Sequence, residues 1–154
     1  MGRILVICVL AVVLAAPLAA QASGSGSGTL SVKNATGAVA VAARGVLLGH
    51  CDRCTVTITN PNPLDDGSSR VVQPLSVLRT PLSDTKTAYQ GNDLRFKLIG
   101  GFFRVRIVGT GIDVSVVADG NAVLDEGTAG TYSRNGDQYL PMPAFKVPLQ
   151  INGA

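Results

Sequence analysis

Tryptophan is absent from the sequence, histidine occurs once, and aromatic residues make up 5% of the chain. Readings that depend on aromatic platforms for sugars or bases therefore find little support. Any Ser-His-Asp arrangement would have to use His50, and no nucleophile-elbow pattern accompanies it. Charged residues are only 15% of the chain and the formal net charge is +3, too small an excess for a general nucleic-acid footprint. The adjacent pairs Asp65-Asp66 and Asp125-Glu126 would point to opposite faces of an extended chain, which disfavours paired-carboxylate catalysis. Asp65-Asp66-Gly67 lacks the alternating spacing of a calcium loop. These gaps point away from an enzyme and from a bound cofactor.

Only one apolar run is long. Ile4 to Leu14 follows the positive start Met1-Gly2-Arg3, and Ala15-Ala16-Pro17 breaks it before the A-x-A pattern Ala20-Gln21-Ala22. The three regions are those of a secretory signal peptide over residues 1–22, and the run is short for a membrane span of about 20 residues. Membrane contact is expected only through this segment, before cleavage. Residues 23–28 read SGSGSG, a flexible tether, and 29–151 are expected to form a single domain.

Within that domain, helical periodicity is missing and strand alternation recurs. Candidate strands are Thr29 to Lys33, Ala38 to Leu48, Thr55 to Thr59, and an edge strand at Val71 to Leu78, where Pro74 cannot donate to a central ladder. Gly49 to Cys54 is short enough for a hairpin connection, and Asn60 to Arg70 carries two prolines and Asp66-Gly67, as a loop does. The strongest pattern is LRFKLIGGFFRVRIVGTGIDVSVV at 94–117, which alternates apolar and polar residues throughout. With Gly100-Gly101 and Gly109-Thr110 as two-residue turns it reads as an antiparallel meander. Phe96 then opposes Val105, and Lys97 and Arg95 oppose Arg104 and Arg106. Leu94, Phe96, Leu98, Phe103, Val105, Ile107, Ile112, Val114 and Val116 share one face. Asp119-Gly120 and Asn135-Gly136 read as further hairpin turns, and Ala144 to Ile151 as a last strand with Phe145 inward. The expected fold is all-β, an antiparallel β-sandwich or small barrel of about 8–10 short strands.

The segment Ile99 to Val117, with the later Thr131-Tyr132-Ser133-Arg134-Asn135-Gly136, resembles small secreted β proteins of high-GC actinobacteria. In that group a Gly-Gly-aromatic strand ending in G-x-G-I precedes a (T/V)-Y-S-x-N-G turn. The resemblance covers roughly the last third of the chain. It implies secretion and an all-β fold, and it carries over no catalytic residue.

His50-Cys51-Asp52-Arg53-Cys54 is the most chemical-looking motif. Once Cys8 leaves with the leader, Cys51 and Cys54 remain, and an oxidising compartment favours a disulfide between them. The alternative makes His50, Cys51 and Cys54 three ligands of a metal or the centre of a redox site. A structural zinc would need a fourth ligand, and thiol redox chemistry normally uses a helix N-terminus. A second candidate is the basic face of Arg95, Lys97, Arg104 and Arg106, four like charges that could receive an anion such as an envelope polymer or an acidic protein. The sequence thus leads to an exported, non-catalytic domain with a binding or structural role in the cell envelope or outside the cell.

Overall fold

The structure is a computed structural model that describes residues 26–60 and 69–153. The leader, the start of the tether and most of the proline-containing loop lie outside the described residues. The described chain is all-β and antiparallel, as the alternation indicates, but its strands are fewer and two are much longer than expected. They are β1 Gly28–Thr59, β2 Ser69–Gln73, β3 Leu78–Ser83, β4 Lys86–Arg134, β5 Leu140–Pro141 and β6 Val147–Ile151.

Strands β1 and β4 wind around each other. Along one side, β1 pairs with β4 from Gly28↔Ala118 to Thr59↔Lys86. Along its other side it pairs again with β4, from Leu30↔Arg134 to Thr59↔Arg104. A central β4 residue therefore lies between two passes of β1: Ile107 between Val39 and Val56, Val105 between Val41 and Ile58. Leu47 of β1 likewise lies between Leu98 and Val116. The two long strands thus form an antiparallel ribbon whose successive turns bond to one another within one six-stranded sheet. Strands β2 and β3 edge the first part of β4, and β5 and β6 edge its last part.

This winding corrects the expected meander partners. Leu98 pairs with Leu47 and Arg70, and Phe103 pairs with Ala43, so no hairpin closes at Gly100-Gly101. Gly109-Thr110 and Asp119-Gly120 also lie inside β4, and Gly49 to Cys54 lies inside β1. These positions are corners at which adjacent strands bend together. Gly100 and Gly101 have φ of 68° and 62°, which glycine alone adopts without cost, and they sit beside the Gly45 bend in β1. At another corner Asn34, Asp93 and Gly111 all have positive φ. A corner resets alternation just as a two-residue turn does. That is why all nine residues of the expected apolar face are buried although their partners differ.

The core is continuous from Leu30 and Val32, through the meander residues, to Leu124 and Ile151, with Ala35, Ala43 and Ala118 fully buried where strands approach closely. Phe145 is not part of it. It lies in a bend ahead of β6, so strand alternation does not reach it, and it is 84% exposed.

Asn135-Gly136 is a true turn. Both residues have positive φ, as a type I′ turn requires, and the Asp137 N–H donates to Arg134 O at 2.9 Å. The pairing beyond it is Tyr132↔Leu140, one residue further on than a tight hairpin would give. Asn135 also ties the two ends of the domain. Its Oδ1 accepts from the Thr29 N–H at 2.9 Å, and its Nδ2 donates to Asn152 O at 3.1 Å. Replacing Asn135 by alanine should cost about 1–3 kcal/mol through lost hydrogen bonds and a positive φ that alanine resists. Asn135→Gly, which tolerates the φ, should cost less; equal urea midpoints for the two variants would assign the whole loss to the hydrogen bonds.

Candidate functional site

Cys51 and Cys54 are both buried, with sulfurs at disulfide distance and Cα atoms 6.0 Å apart, inside the usual range for a bridge. Strict alternation would put residues three apart on opposite faces. Asp52 and Arg53 are both exposed, and this pair of outward residues at the corner turns both cysteines inward. His50 points the other way. The cysteines and His50 therefore do not converge, and among the described residues no group of three His, Cys, Asp or Glu side chains is placed to hold a metal ion.

His50 stands on the outer sheet face, with its side chain 32% exposed and both ring nitrogens toward carboxylates. Nε2 is 2.8 Å from Asp93 Oδ1 and Nδ1 is 3.7 Å from Asp113 Oδ2. Asp113 Oδ1 also accepts from the Asn34 N–H at 2.8 Å, and Arg95 lies 3.9 Å from Asp93. His50 and Asp113 line an open depression of about 660 Å³ together with Ser31, Lys33, Leu48, Gly49, Arg95 and Ser115. Gly49 is required there, because a Cβ at this position would meet the ring of Phe96. A triad histidine needs one nitrogen free to take a hydroxyl proton, and here both face carboxylates. Exposed pairs of this kind contribute only about 0–1 kcal/mol each.

The four basic residues expected to form one anion-binding face are divided by the Gly100-Gly101 corner. Arg95 pairs with His50 and Gln73, and Lys97 with Leu48 and Val71. Arg104 pairs with Ala42 and Thr59, and Arg106 with Ala40 and Thr57. The expected Lys97–Arg104 and Arg95–Arg106 contacts required a hairpin that the winding replaces. On the first side of the corner Arg95 has Asp93 and Asp113 in its neighbourhood; on the second, neither arginine has an acidic cross-strand neighbour.

Sequence reasoning missed Tyr139 and Lys33. The Lys33 ammonium lies 4.5 Å from the Tyr139 ring centre, and the Tyr139 hydroxyl is 3.0 Å from Ser31 Oγ. The Ser31 hydrogen bond, and then Lys33, hold the Tyr139 hydroxyl below its ordinary pKa of 10.0. Ser31→Ala should move this titration upward in a phenolate absorbance titration; an unchanged curve would contradict the contact. The contact joins residues more than a hundred positions apart, and no local pattern signals it.

Comparison with protein-family models, with curated proteins and with solved structures finds no match for the chain.

Proposed function

We propose that the chain is an exported, non-catalytic β domain that acts by binding in the cell envelope or outside the cell. The observation that carries this reading is the pairing of Cys51 with Cys54 on the inner face while His50 occupies the outer one. A bridged pair suits an oxidising compartment and leaves no thiolate for metal or redox chemistry. An imidazole with both nitrogens toward carboxylates is poorly placed as a general base. The leader pattern at 1–22 and the resemblance to secreted actinobacterial β proteins support the same compartment. The open depression and the charged outer faces supply surfaces for binding rather than an enclosed reaction chamber.

The test is made on protein recovered from the exporting cell's medium or envelope. Intact mass should place the N-terminus after Ala22 and lie about 2 Da below the dithiol form, since forming the bridge removes two hydrogens. Thiol titration should find no free cysteine, with or without chelator. Free thiols with a stoichiometric metal would instead establish the alternative centred on His50, Cys51 and Cys54.

A further inference from the structure

Resting on that binding role, we propose that the outer face carrying Arg104 and Arg106 is a docking surface for a phosphate-bearing polyanion. The two arginines follow each other on one face of β4, roughly 7 Å apart along the strand. Both are exposed. Their cross-strand neighbours are Ala42 and Thr59, and Ala40 and Thr57. Lys86, exposed as well, stands across Thr59 from Arg104. Neither arginine forms an ion pair among the described residues; the Arg104 guanidinium instead lies over the Phe102 ring, 5.7 Å from its centre. The acidic residues of this side, Asp84, Asp119 and Asp125, stand at the turn before Lys86 and on the part of β4 beyond 38–44, not beside the arginines.

The surroundings indicate the kind of partner. The two like charges on one strand face raise the local positive potential, which favours an external anion most at low salt. The residues between and beside them are small and neutral: Ala40, Ala42, Thr57, Thr59 and Ala88. Apart from Phe102, which is only half-buried and lies under the Arg104 guanidinium, these neighbours offer no aromatic or large apolar anchor of the kind a protein partner would use. The face suits an extended charged chain, and guanidinium groups match the oxygen geometry of phosphate in a two-pronged manner. On the other side of the corner, Arg95 lies 3.9 Å from Asp93, so that guanidinium already has an anionic neighbour.

The experiment passes the oxidised mature protein over immobilised inorganic polyphosphate. At about 0.01 M salt, where the screening length is about 30 Å, the protein should be retained, and at about 0.15 M it should elute. Arg104→Thr with Arg106→Thr should weaken retention about tenfold or more, since two phosphate contacts are lost. Arg79→Thr with Lys146→Thr, at exposed positions outside this face and outside the depression, makes the same change in net charge and should stay within about twofold of the wild type. Threonine suits exposed strand positions, and equal urea midpoints check that the fold is kept. If the double variant folds poorly, the single variants decide: each should elute at lower salt than the wild type, and unchanged elution overturns the proposal. Failure of the wild type to bind, or equal loss in both double variants, also overturns it. Stronger retention on polyglutamate than on polyphosphate overturns it in favour of an acidic protein partner. Mass and thiol content are read on the same samples. A bridged, metal-free protein that is not retained overturns this surface alone, whereas free thiols with bound metal overturn the binding role beneath it.

Discussion

Replacing Phe103 by alanine should destabilise the protein by about 3–5 kcal/mol, the loss expected for a large aromatic side chain in a packed core. Phe103 is fully buried and is the largest such side chain among the described residues. It is the first inward residue after the Gly100-Gly101 corner, and it pairs with Ala43, whose small side chain leaves room for the ring. Denaturation in urea should show the midpoint falling with little change in slope, because the surface exposed on unfolding is nearly unchanged. Phe145→Ala is the matched control. That ring is 84% exposed, and its removal should change stability by no more than about 0.5 kcal/mol. Similar losses for the two variants would contradict the placement of both residues.

The second large effect concerns the Cys51–Cys54 pair. Converting both cysteines to alanine should cost about 3 kcal/mol. A bridge closing so short a loop restrains the unfolded chain by about 2 kcal/mol, and two buried sulfurs lose packing as well. The loss should appear in the oxidised protein and shrink when wild type and variant are compared under reducing conditions, where only the packing part remains. An equal loss under both conditions would mean that the cysteines act as packed free thiols. That result would reopen the metal and redox alternative.

The buried face of 94–117 was legible because alternation reports which side of a strand is apolar. It does not report which strand lies alongside. Gly100-Gly101 shows the ambiguity: Leu98 and Phe103 fall on the same face whether the chain reverses or merely bends there. The choice is made by β1, whose Leu47 lies beside Leu98 and whose Ala43 lies beside Phe103. Those contacts are long-range, and no short window contains them. Asn135-Gly136 was legible because its partners, 131–132 and 140–141, are close in sequence and the turn's positive φ values select those two residue types. Phe145 misled because two prolines and a bend precede β6, so the period-2 count begins later than the apolar residues suggest.

The candidate sites divide along the same lines. Cys51 and Cys54 are neighbours in sequence, and their proximity was visible there. His50 meets Asp93 and Asp113 only because the winding brings two parts of β4 that are distant in sequence to either side of β1. The four basic residues were found by alternation, but their grouping depended on the hairpin. Once the hairpin is replaced by a corner, Arg95 lies near carboxylates, Lys97 lies between Leu48 and Val71, and the other pair lies among alanine and threonine.

The winding of β1 and β4 decides which residues share a surface, and cross-strand nuclear Overhauser contacts in the labelled protein test it most directly. Ile107 should show cross-strand backbone contacts to both Val39 and Val56, and Leu47 to both Leu98 and Val116. Contacts from Phe96 to Val105 and from Val105 to Val114, in place of these, would restore the meander, reunite the four basic residues on one face and contradict the fold on which both surfaces rest.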